Sequence, residues 1–145
     1  MTARADAKVH PRRSPGPHHG GSLYLDCETN GLGVDAAITC IAVTNAVGET
    51  TTWHSGHAEK MTKEIASSVV DALLNAIGQG AQLYTFNGAA FDLKLLWSLS
   101  GRDEVRQMAL DHCDLLVDFV CDLRYYASMD SFATATLKGE NSSKS

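Results

Sequence analysis

The 145-residue chain has no apolar run near the roughly 18 residues of a membrane span, so no transmembrane helix is expected. Its four cysteines, Cys27, Cys40, Cys113 and Cys121, form no C-x-x-C pair and no zinc-ligand spacing. Reduced thiols in a cytoplasmic compartment are the expectation, because no apolar stretch follows the basic N-terminal residues as a secretory signal would require. Proline is scarce, and all three prolines lie among the first 17 residues. Positive charge is scarce beyond the start as well. Residues 1–20 carry Arg4, Lys8, Arg12 and Arg13 against Asp6, a local +3, so the rest of a chain with net charge −5 holds −8. An acidic body lacks the footprint of a protein that grips duplex DNA by its phosphates alone. It leaves open an enzyme whose bound cations reverse the sign locally.

What remains is a composition ordinary for one folded domain, 44% hydrophobic and 20% charged. Residues 1–21 hold all the prolines and three of the six histidines, and read as a disordered basic arm. The segment "SLYLDCE" from Ser22 alternates as a strand does. "AITCIAVTN" and "ETTTWHS" are two more strands, joined by a loop from Asn45 to Gly48. Over residues 61–77, Met61, Ile65, Val69, Leu73 and Ile77 recur every fourth position, which predicts an amphipathic helix stopped near Gly78. "QLYTF" is a short strand, and the helical spacing of Phe91, Leu95 and Leu99 after it makes Asn87-Gly88 a strand-to-helix junction, the helix starting at Asn87. A further helix is expected over 115–123, entered through "DHCD", and a last one over 128–137 with Ser128 as its cap. Residues 22–138 thus read as one α/β domain, a mixed sheet with helices packed on it, followed by a flexible tail at 139–145.

The chemistry concentrates at "LYLDCETNGLG". Alternation puts Tyr24, Asp26 and Glu28 on one strand face and Leu25 and Cys27 on the other, so two carboxylates share a site. If "QLYTF" lies beside this strand, the helix after it brings Asp92 to the same end. Three carboxylates within ~5 Å repel by about 3 kcal/mol per pair at an effective dielectric of 20. Either they take up protons or a cation sits among them. Hard oxygen ligands favour Mg²⁺ or Mn²⁺, and two such ions ~4 Å apart suit phosphodiester cleavage. Each feature also has a purely structural reading. D-x-E is common at strand-end turns, Asp92 alone complements a helix dipole, Cys27 is a small core residue, and His112 and Asp114 cap a helix.

"LDCETNGLG" resembles the first motif, D-x-E-T-x-G-L, of the DEDD 3′–5′ exonucleases, and "TFNGAAFDLKLL" resembles their second, N-x-x-x-F-D. With "DHCDLL" and "LRYYASMDSFATATL" following, the chain is most similar to family-B-polymerase-like exonucleases over residues 22–138. The resemblance implies a ribonuclease H-like fold. It implies a two-metal hydrolysis of single-stranded DNA or RNA 3′ ends, with Mg²⁺ or Mn²⁺ held by Asp26, Glu28 and Asp92 as the catalytic set. Thr29, Gly31 and Leu32 would line the path of the terminal nucleotide, and backbone amides after Glu28 would hold its 3′ hydroxyl. Asn87, Gly88 and Phe91 would shape the cleft, and His112 and Asp114 would be accessory. No membrane partner is implied, and a polymerase or replication partner is left unidentified.

One departure matters. The family's third motif, Y-x-x-x-D or H-x-x-x-x-D on a C-terminal helix, has no match after Leu137, where "KGENSSKS" offers only Glu140. Tyr126 and Asp130 have the spacing but stand before the wrong element. The expectation is therefore a C-terminally truncated fold. The alternative to the enzyme is a non-catalytic, nucleic-acid-binding remnant of it, and a third reading is a protein–protein module whose carboxylates cluster by chance.

Overall fold

A computed structural model describes residues 21–33 and 35–123. Residues 1–20 of the expected 1–21 arm, the helix expected over 128–137, the Tyr126–Asp130 pair and the tail lie outside the described residues. Strands β1 (Ser22–Thr29), β2 (Ile38–Asn45), β3 (Thr50–His54), β4 (Gln82–Thr85) and β5 (Cys113–Asp114) form one sheet in the order β3-β2-β1-β4-β5. The first three make an antiparallel meander, and β4 and β5 join parallel to β1 through helical crossovers. The expected mixed sheet is thus observed, with "QLYTF" beside "SLYLDCE".

Alternation along β1 works as the sequence suggests. Leu25 and Cys27 are buried, while Tyr24, Asp26 and Glu28 are exposed on the opposite face. One irregularity sits beside the carboxylates. Glu28 pairs with Cys40 but Thr29 pairs with Ile38, so Thr39 is an extra residue in β2, and its hydroxyl donates to the Glu28 carbonyl at 3.2 Å. The bulge turns Ile38 inward along with Ile41 and Val43, although Ile38 and Ile41 are three residues apart.

Helix α1 (Lys63–Gly78) starts at Thr62, whose Oγ1 accepts from the Ile65 amide at 3.3 Å. Its buried stripe is Ala66, Val69, Val70 and Leu73, with Met61 buried just before the cap and Ile65 and Ile77 at the margins. Helix α2 (Asp92–Ser100) buries Leu93 and Leu96, and Gly101 ends it in the left-handed conformation, φ +66°. Helix α3 (Glu104–Asp111) and the two-residue β5 are not anticipated by the sequence reading. Only Val105 and Met108 of α3 are buried, too few to make a periodic signal. Helix α4 (Leu115–Leu123) follows where it is expected. None of the described helices is long and apolar enough to cross a membrane.

The three helices α1, α2 and α3 meet around Arg102. Its guanidinium bonds Asp71 at 2.8 Å and Ser67 at 2.9 Å on α1, and grips both oxygens of Glu104, at 3.1 and 3.3 Å. The contact holds the Glu104 carboxyl below the usual carboxylate range. Because its partners are largely exposed, Arg102→Ala is expected to cost only about 1 kcal/mol. Urea unfolding at low salt and at about 1 M salt checks this, since the difference between the two proteins should shrink under screening.

Candidate active site

Strand β1 is longer than its neighbour. Its pairing with β4 runs only from Ser22 to Tyr24, and β4 ends at Thr85, so residues 25–29 have a strand partner on the β2 side alone. An edge amide buried without a partner would be costly. At Cys27 the acceptor is a side chain: the Cys27 amide donates to Asp92 Oδ1 at 2.9 Å. Asp92 is the first residue of α2, 5% exposed, so the helix start stands where the next residues of β4 would have been. This brings the Asp92 carboxylate against the backbone between Asp26 and Glu28, from an element 65 residues away.

Residues 87–91 form a turn that precedes α2, and α2 does not begin at Asn87. Asn87 is in the left-handed region, φ +62°, a conformation that Asn tolerates better than most residues but that ends a regular right-handed helix. The turn is pinned by side chains from its neighbours. The Asn87 amide donates to Asp114 Oδ1 at 2.7 Å, and the Ala89 amide to Asp114 Oδ2 at 3.2 Å. Between them, the Gly88 amide donates to Thr85 Oγ1 at 3.1 Å. His112 Nε2 lies 2.8 Å from the same hydroxyl, and its Nδ1 lies 2.8 Å from the Ala109 carbonyl. A carbonyl only accepts, so a neutral His112 carries its proton on Nδ1 and takes the Thr85 proton on Nε2.

His112 and Asp114 therefore contribute more than a helix cap. Asp114 does cap α4, accepting from Leu116 at 3.2 Å, but its carboxylate also organises the turn before Asp92. Thr85 escaped the sequence reading altogether. The one available signal was a glycine three residues after a strand-end threonine.

On the other side of β1, the connection to β2 is closed by Asn30, whose amide donates to the Ala37 carbonyl at 3.1 Å and whose side chain accepts from the Ala37 amide at 2.8 Å. The Asn30 amide is thus committed and is not offered to a ligand. Thr29 donates to the Gly31 carbonyl at 2.6 Å, and Leu32 beyond it is 87% exposed. A hollow of about 360 Å³ lies under this loop, lined by Asn30, Gly31, Gly33, Asp35 and Ala36. Phe91 is half-buried at the turn and Gly88 is buried.

The electrostatics are uneven. Burial pushes the Asp92 carboxyl above its ordinary value, the negative charge of Asp26 adds to the rise, and the Cys27 amide opposes it. The Cys27 thiol is pushed far up, by burial first and by Asp92 second, which makes it a core residue and not a nucleophile. Asp26 and Asp92 thus feel each other. Among the described residues, no three His, Cys, Asp or Glu side chains stand close enough together to hold an ion as they are oriented. Asp26 and Glu28 both lie exposed on one face of β1, where solvent screens their like charges. The donors suit a hard cation nonetheless: carboxylate oxygens only, one fixed and two on side chains with room to turn.

A profile of the RNase H superfamily matches residues 23–139. No curated protein matches the chain. Among solved structures, the family B DNA polymerase from the hyperthermophilic archaeon Pyrobaculum calidifontis is similar over 67% of this chain and 12% of that one, at 16% identity and a TM-score of 0.44. With most of its length matched by the profile, and with a mixed five-stranded sheet packed by helices, the chain belongs to the RNase H superfamily and has its nuclease-type fold.

Proposed function

We propose that the chain is a metal-dependent 3′–5′ exonuclease domain that hydrolyses phosphodiester bonds at single-stranded DNA or RNA ends. The observation that carries this reading is the bond from the Cys27 amide to Asp92, which fixes a buried carboxylate against the strand segment bearing Asp26 and Glu28. Two Mg²⁺ or Mn²⁺ ions held by Asp26, Glu28 and Asp92 would supply a more acidic attacking water and neutralise charge on the leaving oxygen. The chain's own residues do the positioning. Asp92 is held in one orientation by its amide contact, so its carboxyl oxygens are in place before substrate arrives. Asp26 and Glu28, exposed on one face, stand where a phosphate can approach. The exposed Leu32 would offer an apolar surface to the terminal base, with Thr29 and Gly31 beside it, and the turn of Asn87, Gly88 and Phe91 would shape the cleft.

The test is the fate of a single-stranded oligonucleotide labelled at its 5′ end, incubated with the full chain and Mg²⁺ or Mn²⁺. A ladder shortening from the 3′ end, abolished by EDTA, is the expected result. Binding without shortening would identify the non-catalytic remnant instead. Neither binding nor a cation effect on melting would leave only a protein–protein module.

A further inference from the structure

The turn that carries Asp92 owes its shape to a residue on another strand. Three successive amides, those of Asn87, Gly88 and Ala89, all end on side chains of β5 and β4: two on Asp114 and one on Thr85. Asp114 is 7% exposed, and both of its oxygens are engaged, since Oδ1 takes Asn87 and Leu116 while Oδ2 takes Ala89. A carboxylate can serve three amides in this way because both oxygens accept; an amide side chain cannot. The turn then hands this order on. Phe91 donates to the Asn87 carbonyl at 3.0 Å and Leu93 to the Gly88 carbonyl at 2.8 Å, so the first turn of α2 is built on the two residues that Asp114 and Thr85 hold. The next link is Asp92 Oδ1 on the Cys27 amide.

We infer that Asp114 is the positioning residue for Asp92: by clamping the Asn87–Ala89 turn, it sets the start of α2 and so the place of the Asp92 carboxylate on β1. The inference rests on the exonuclease reading for its effect on rate, but not for its effect on geometry. Asp114→Asn keeps one oxygen and turns an NH₂ toward an amide that needs an acceptor. In an active chain it lowers kcat about tenfold or more and raises the Mg²⁺ concentration needed for half-maximal rate.

The deciding measurement is independent of turnover: amide hydrogen exchange of the metal-free protein, read residue by residue. Asp114→Asn is expected to speed exchange at Ala89 and Cys27 about tenfold, while Val69 and Val70 in α1 stay as in the parent. Thr85→Val, which removes the Gly88 anchor and the His112 contact but leaves both Asp114 bonds to the turn, gives a smaller effect at the same Cys27 amide and serves if the Asp114 variant does not fold. Faster exchange confined to Leu116 and the rest of α4 would reduce Asp114 to a helix cap and overturn the inference. A uniform rise at all amides, α1 included, would overturn it too. An inactive parent in which Cys27 still responds to Asp114→Asn would sink the exonuclease reading and leave the positioning role standing.

Discussion

Asp92→Asn is expected to lower metal-dependent nucleotide release by about 10³-fold, the several kcal/mol that metal-assisted charge stabilisation supplies. The same variant should melt no lower than the parent when metal is removed. The two outcomes together distinguish a ligand from a structural acid. Asn keeps an oxygen that can accept from the Cys27 amide, so that bond at the β1 edge survives the substitution. What it removes is a charge in a place where charge is unfavourable.

The sign follows from the direction of the shift. Burial and Asp26 raise the Asp92 carboxyl above its ordinary value. A raised acid holds its proton longer in the folded chain than in the unfolded one. Its contribution to stability is therefore fully present below the ordinary carboxylate value of about 4, and it is lost as the pH climbs from there through the folded value. At a pH above the folded value, in EDTA, the parent lacks that contribution, and the variant has no charge to bury. Adding Mg²⁺ or Mn²⁺ reverses the order. A ligand at about 100 times its dissociation constant stabilises the native state by roughly 2.7 kcal/mol, and only the parent has the full ligand set. Melting curves of both proteins, with EDTA and with a series of Mg²⁺ concentrations, check the crossing. Equal destabilisation of the variant under both conditions would make Asp92 a structural acceptor and nothing more.

The difference between what the sequence conveys and what it withholds is physical. Strand β1 was legible because a half-buried strand must alternate, and Leu25 and Cys27 against Tyr24, Asp26 and Glu28 leave one assignment. Helix α1 was legible because its apolar residues recur over four turns. Helix α3 was not, since two buried residues in eight make no period, and β5 was not, since two residues have none at all. Both are set by tertiary contacts. Apolar spacing puts the start of α2 at Asn87 because it reports a face and not the backbone angle that excludes Asn87 from the helix. Asp26, Glu28 and Asp92 could be named from their motifs. The means of holding Asp92 could not be, because His112 and Asp114 become neighbours of the turn only once β4 and β5 pair, and a threonine three residues before a glycine carries no periodic signal.

Gly88→Ala is the substitution with the largest expected cost to the fold near the site. A Cβ at Gly88 would fall onto Thr85, closer than any real contact to its Oγ1, its Cβ and its Cγ2 alike. No rotamer of Thr85 escapes all three, and Thr85 is 3% exposed, so the backbone itself must give. Overpacking of this kind costs about 1–3 kcal/mol, and the upper end applies where the obstacle includes an atom fixed to the backbone. For a domain of this size, about 3 kcal/mol corresponds to a melting temperature lower by roughly 10 °C. Adding Thr85→Ala should recover little, because the Thr85 Cβ remains in the way and the hydroxyl that anchors the Gly88 amide is gone. Adding Thr85→Gly should recover more of the steric part. The strain also has a direction. Leu93 takes its first helical bond from the Gly88 carbonyl, so a displaced Gly88 moves the start of α2 and pulls Asp92 from the Cys27 amide. Thermal unfolding of the single and double variants, with exchange at Cys27 beside it, measures both effects. A Gly88→Ala chain that melts within a degree or two of the parent would mean that the turn is loose, and a loose turn could not fix Asp92 on β1.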